Sequence, residues 1–184
     1  GLEEDGVIPM TKPGEAERIR RAHADVVACV VIDLMPNRAG LMPATPAFVD
    51  MLKRVREDTG ILLVFDGVIT LRLSYGGGQE VFGISPDLSA IGKIIGGGYP
   101  VGAVGGSAAV MSVFDPSQSK PLLPHGGTFN ANPVTMVAGE AAMLHYGDDE
   151  ITRLGILGDK ARDGITAAFY DAGVPGQVTG LQSL

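Results

Sequence analysis

The chain is short of cysteine, tryptophan and positive charge, and each shortage narrows what it can be. A single cysteine, Cys29, excludes an internal disulfide framework and any paired-cysteine metal or redox site. A reducing compartment, most simply the cytoplasm, is the expectation for such a chain. Its 14 Lys and Arg stand against 21 Asp and Glu, a net charge of −7. Nothing supplies the positive field that a nucleic-acid groove or a basic membrane-surface module needs. Long apolar runs are missing too. The most apolar stretch, Val26 to Ile32, is bracketed by Asp25 and Asp33 and falls far short of the roughly 20 residues that cross a bilayer. The first residues, Gly-Leu-Glu-Glu-Asp, are acidic where a secretory signal is basic, and there is no starting Met. The chain is therefore expected to be a fragment or a processed product.

What is present is enough for a core. The 184 residues are 45% hydrophobic and 19% charged, which places the chain among folded domains and away from disordered ones. Glycine is abundant, 27 residues, about twice the ordinary share. The glycines sit around apolar runs, the pattern of a backbone folded closely about a ligand.

Pro13 to His23 reads as a short charged helix with Ala16, Ile19 and Ala22 on one side. Val26 to Asp33 reads as a strand buried on both faces, as parallel sheets require. Pro46 to Thr59 is the clearest helix, with Phe48, Val49, Leu52 and Val55 on one face and Gly60 as its stop. Ile61 to Phe65 is a second strand ending at Asp66-Gly67. Strand, helix and strand joined this way make a βαβ unit. Leu71 to Pro86 is irregular. Leu88 to Ile95 is a third apolar run holding Lys93, broken by Gly96-Gly97-Gly98, and Val101 to Gly106 is a weak strand. Two helices follow: Ala131 to Tyr146, burying Val134, Val137, Ala141 and Leu144, and Glu150 to Ala172, with Ile151, Leu154, Leu157, Ala161, Ile165 and Phe169 on its apolar side.

Several familiar motifs fail on spacing. Gly92-Lys93 ends like a phosphate-binding P-loop, but position 87 is Asp and position 94 is Ile. Residues 96–102 fit GxGxxG in neither register. No GxSxG elbow occurs, and His23, His125 and His145 have no metal spacing.

Three features remain, in order along the chain. Asp66 ends a buried strand. Lys93 ends the third apolar run. Thr128 lies in Gly126-Gly127-Thr128-Phe129-Asn130, shortly before a helix. Ligands of open α/β sheets bind at the carboxyl ends of strands. A Lys amine can condense with an aldehyde cofactor, an Asp can keep a pyridine nitrogen protonated, and a hydroxyl near a helix start can hold phosphate. Each feature alone has a plainer reading: a surface Lys, a turn Asp, a capping Thr. Together they match the needs of pyridoxal phosphate.

Longer segments carry a resemblance. Leu62-Leu63-Val64-Phe65-Asp66-Gly67-Val68-Ile69-Thr70 resembles the Asp-Glu-Val segment of class III (fold type I) pyridoxal-phosphate aminotransferases. Pro86-Asp87-Leu88 with Gly92-Lys93-Ile94-Ile95-Gly96-Gly97-Gly98-Tyr99-Pro100-Val101-Gly102-Ala103 resembles their Schiff-base lysine segment, and Gly127 to Pro133 their intersubunit phosphate loop. The similarity covers residues 25–146 and is strongest to the glutamate-1-semialdehyde 2,1-aminomutase-like branch. It implies an α/β fold, part of the pyridoxal-phosphate-binding large domain, with a mostly parallel sheet and flanking helices. The whole chain, 1–184, would belong to that domain, and the small C-terminal domain would be absent. By resemblance Lys93 is the catalytic residue and proton carrier, Asp66 pairs with the pyridine nitrogen, Val68 packs on the ring, and Thr128 binds phosphate across a homodimer interface. Arg72 matches a family arginine, expected to act from behind the site. The implied reaction is amino-group transfer between an amine or amino acid and a keto or aldehyde substrate, or internal transfer as in an aminomutase, impaired in so short a chain.

The departures count as well. Gly67 replaces the Glu of Asp-Glu-Val, Asp33-Leu34 stands where the family has Glu-Pro, and the earlier phosphate loop and ring-stacking aromatic have no counterpart. They leave two alternatives: a non-catalytic interaction or regulatory remnant of the fold, and another pyridoxal-phosphate reaction such as racemisation or decarboxylation.

Overall fold

The structure, a computed structural model, describes residues 13–117 and 120–184, with backbone only at 19 and 20. Its frame is a four-stranded sheet in the order β1 (Cys29–Ile32), β2 (Leu62–Asp66), β3 (Leu88–Gly92) and β4 (Gly102–Gly106). The first three strands run parallel, and β4 closes antiparallel on β3. Helices α1 (Pro13–Ala22) and α2 (Pro46–Thr59) cover one face. Short helices α3 (Gly78–Val81) and α4 (Ala108–Met111) lie in the connections, and the chain ends with α5 (Pro133–His145) and α6 (Asp148–Asp171).

The sequence punctuates α2 at both ends. The Thr45 hydroxyl accepts from the Phe48 amide at 3.3 Å, Pro46 opens the first turn, and Gly60 ends the helix at φ +71°. Capping of this kind satisfies backbone groups that the helix cannot pair internally. Phe48, Val49, Met51, Leu52 and Val55 of α2 are buried against Val30, Ile32, Leu63 and Phe65 of the sheet. Asp87 locks the assembly from the loop before β3. Its carboxylate accepts from Arg56 Nη2 at 2.6 Å, from Arg56 Nε at 3.0 Å and from the Leu63 amide at 2.8 Å. One carboxylate thus joins the end of α2, the start of β2 and the approach to β3.

Three expectations are corrected. β1 is buried on one face only: Val30 and Ile32 point into the core, while Cys29 is exposed and Val31 is 68% exposed. All the core helices packed on β1 lie on the other side, so the valine-rich run reflects strand propensity, not two-sided burial. The buried face of α5 is also different. Val134 and Val137 are exposed, and Leu144 is 80% exposed, whereas Thr135 and Gly139 are buried. Small residues face the turn after β3 because the helix backbone comes so close to residues 95–97. A Cβ on Gly139 would stand 2.1 Å from the Ile95 carbonyl oxygen, and one on Gly97 2.1 Å from that of Ala138. On α6, Leu157 and Ile165 are exposed, and Gly155 is the buried residue, turned toward the terminal segment around Gln182. Ala22 of α1 is exposed, and Ile19 lies outside the described side chains.

Candidate active site

The carboxyl ends of the three parallel strands converge, and each delivers one ionisable residue. β2 ends with Asp66, whose Oδ1 accepts from the Val68 amide at 3.1 Å. That bond turns the chain outward directly after the strand. β3 ends at Gly92, and Lys93 follows with φ +49°. A lysine rarely adopts the left-handed region, so the surrounding turn holds it there. Asp33 follows β1.

Lys93 and Val68 share a wide cavity of about 870 Å³, lined also by Asn37, Arg72, Ile94 and Tyr99. Arg72 and Lys93 are its two cations among the described residues. The Gly92 backbone is pressed between neighbours: a Cβ there would lie 3.1 Å from the Val101 carbonyl and 3.6 Å from the Val68 side chain. Asp66 borders a smaller cavity of about 200 Å³, beside Gly67 and Ser89. The consecutive residues Gly67 and Val68 line the two hollows in turn. Burial pushes the Asp33 carboxyl above the usual carboxylate range, the Asp66 charge pushes the same way, and the Met35 amide and Lys93 oppose them.

Thr128 does not line the Lys93 cavity. It lies in an exposed turn beside Asn130, whose side-chain nitrogen meets His125 Nε2 at 3.1 Å. His125 packs edge-on against Phe114, with ring centres 6.0 Å apart. Arg72 is nearer the site than its expected place behind it. Its Nε donates to the Ser183 hydroxyl at 3.2 Å, and its carbonyl accepts from the Tyr146 hydroxyl at 2.9 Å. Asp33 is the residue that linear reading passed over as a departure; the pairing of Ile32 with Phe65, which brings it level with Asp66, is a property of the sheet. No group of three metal-ligating side chains occurs among the described residues, and none of their helices is long and apolar enough to cross a membrane.

A partly wound α/β sheet with an amine and carboxylates at its strand ends defines a ligand-binding α/β domain. Residues 8–156 match the family model of class-III aminotransferases, and the chain belongs to that family. An ω-transaminase from Sphaerobacter thermophilus is 55% identical, superposes with a TM-score of 0.93, and is matched over 96% of this chain and 40% of its own. A transaminase solved with PLP bound is 41% identical with a TM-score of 0.92, over 96% of this chain and 42% of its own. A glutamate-1-semialdehyde 2,1-aminomutase of Ignicoccus hospitalis is 42% identical over 138 residues, 74% of this chain and 32% of that protein. The chain thus spans about a third to two fifths of the length of these relatives. The fold is a part of the pyridoxal-phosphate transaminase fold.

Proposed function

We propose that the chain carries the pyridoxal-phosphate site of an aminotransferase, with Lys93 as its covalent anchor. The observation that supports this reading best is the placement of Lys93 directly after a parallel strand, in the wide cavity it shares with Val68. The residues suit the cofactor. A primary amine is available to an aldehyde, a branched apolar wall to a flat ring, and a strand-end carboxylate to a ring nitrogen. Pyridoxal phosphate, when bound, supplies an aldehyde that takes up the substrate's amino group and a ring that accepts the electron pair left on the substrate carbon.

Lys93 would hold the aldehyde group through its Nζ and, when free, would serve as the acid and base of the transfer. The Asp66 carboxylate would favour the protonated form of the ring nitrogen. Val68 would supply an apolar wall for the ring. Thr128, on its exposed turn, serves the phosphate of a second subunit, so the active form is a homodimer. Its substrates are an amine or amino acid and a keto or aldehyde acceptor, and its compartment is the cytoplasm, in keeping with one exposed cysteine.

Transamination is favoured over internal transfer by extent of likeness: 55% identity over 96% of the chain to the ω-transaminase, against 42% over 74% to the aminomutase. Gly67 favours a second reading, a non-catalytic remnant, because it removes the carboxylate beside Asp66. Borohydride reduction of the chain mixed with pyridoxal phosphate, followed by peptide mass spectrometry, tests both. An adduct on Lys93 that Lys93→Ala abolishes is expected. Labelling spread evenly over Lys53, Lys120 and Lys160, with none preferring Lys93, would overturn the aminotransferase reading.

A further inference from the structure

We propose that Arg72 binds the carboxylate of the substrate, so that the site takes amino and keto acids in preference to simple amines. The inference rests on the reading of Lys93 as the cofactor's anchor and names the substrate class of that same site. Its structural basis is a cation without an acid. Two arginine side chains among the described residues are half-buried, Arg72 and Arg162. Arg162 is paired with Asp159. Arg72 forms no ion pair among the described residues. Its Nε donates to the Ser183 hydroxyl at 3.2 Å, and its main-chain carbonyl accepts from the Tyr146 hydroxyl at 2.9 Å. The residue is held at both ends, and its two Nη groups have no partner among the described residues. A charge partly withdrawn from water costs free energy unless an opposite charge and hydrogen bonds offset it, and an incoming carboxylate supplies both.

The cavity gives that carboxylate a place. Arg72 and Lys93 line the same hollow, and none of the described residues around it is Asp or Glu, although the chain as a whole carries a net charge of −7. A hollow with two cations and no acid draws in small anions. With Nε tied to Ser183, the fork of Nη1 and Nη2 stays free, and its spacing suits the two oxygens of one carboxylate. Ile69, Ile94 and Tyr99 offer an apolar wall to the rest of the molecule. When Lys93 is engaged with the cofactor, Arg72 is the cation left in the cavity for the substrate. A substrate with its amine at Lys93 and its carboxylate on Arg72 is held at two points, which orients the carbon between them. The cofactor's phosphate has a separate candidate in Thr128, whose turn lies outside this hollow.

NMR titration of the cofactor-free chain with hexanoate and with its uncharged counterpart hexanamide tests the recognition directly. Hexanoate is expected to bind about tenfold or more tightly than hexanamide. Arg72→Gln should remove that preference, and Arg72→Lys, which keeps the charge, should retain part of it. In the unaltered chain the nitrogen-15 signals of the Arg72 guanidinium should respond to hexanoate and not to hexanamide, a readout that needs no variant to fold. No preference in the wild type, or a preference that survives Arg72→Gln, overturns the proposal. On the chain loaded with pyridoxal phosphate, norleucine and pentylamine differ only in the carboxylate. Arg72→Gln should raise the norleucine concentration that half-changes the cofactor's visible band by about tenfold or more, and the pentylamine concentration by less than about twofold. An equal loss for both would make Arg72 a structural residue and sink the idea. Pyridoxal, which lacks the phosphate, separates the other source of an anion. If Arg72→Gln abolishes a preference for pyridoxal phosphate over pyridoxal in borohydride labelling of Lys93, the cation serves the phosphate and the proposal falls. If no adduct forms on Lys93, the aminotransferase reading fails, while the cofactor-free titration still decides whether Arg72 holds a carboxylate.

Discussion

Lys93 holds its backbone at φ +49°, a conformation that costs a residue with a Cβ about 1 kcal/mol or more. The cost falls on the residue that the aminotransferase reading needs, at a strand end where a straight continuation would carry its amine away along the sheet. We therefore expect Lys93→Gly to be more stable than Lys93→Ala by about 1 kcal/mol, read from urea unfolding midpoints, because Gly enters this region freely. Equal midpoints would mean that the turn does not force the conformation. At this scale the sequence was informative about residue types: an amine and an acid beside glycines stood out. It said little about neighbours across strands. Asp33 lies far from Asp66 in the chain and comes level with it only through the pairing of β1 with β2, which no local spacing encodes.

Among the elements, the contact between α5 and residues 95–97 depends on two glycines facing each other. Gly139→Ala would drive a methyl into the Ile95 carbonyl, and we expect a loss of about 1–3 kcal/mol in thermal or urea unfolding. Because residues 95–97 continue directly from Lys93, the same variant should also weaken cofactor labelling of that lysine. The face of α5 was illegible for the same reason. Apolar periodicity points to Val134, Val137 and Leu144, but a close backbone crossing selects the smallest side chains, and the larger ones are left outside. By contrast α2 was legible at both ends, since Pro46 and Gly60 are local signals that tertiary contacts did not override.

Asp87 gives the elements a pH response. The Arg56 guanidinium holds its carboxyl below the usual carboxylate range, with help from the Leu63 amide and against the cost of burial. A depressed folded-state value means stability that is present above the unfolded value, about pH 3.9, and lost as pH falls through the lower folded one. Arg56 stays charged throughout. Unfolding midpoints should therefore drop on acidification below about pH 4, and Asp87→Asn should be less stable at neutral pH but flatter across that acid range. An unchanged acid slope in the variant would assign the loss to other carboxylates.

The whole molecule presents one covered sheet face and one open face, with Val31 and Val104 exposed on the latter. Phe129, Leu122 and Leu144 add large exposed apolar groups in the C-terminal half. Surfaces of this kind on soluble proteins mark contacts with other protein, and the homodimer proposed above supplies one. Sedimentation at increasing concentration should show species heavier than the 19.0 kDa chain. A single monomeric boundary at the highest concentration would count against a shared site at Thr128. The fold class and the order of elements were readable because each parallel strand is a short, mostly apolar run closed by a Gly or Asp. Which face each would bury was not, since that depends on what lies against it.

The antiparallel return of β4 on β3 has a kinetic consequence. Every other strand pair must wait for a long excursion of chain, through α2 or through residues 67–87, before its ends can meet. Only β3 and β4 are joined by the brief connection 93–101, and short closures cost the least entropy. Lys93 thus rides on the hairpin positioned to zip first, and the strands that carry Asp33 and Asp66 join later, as the slower crossovers bring them home.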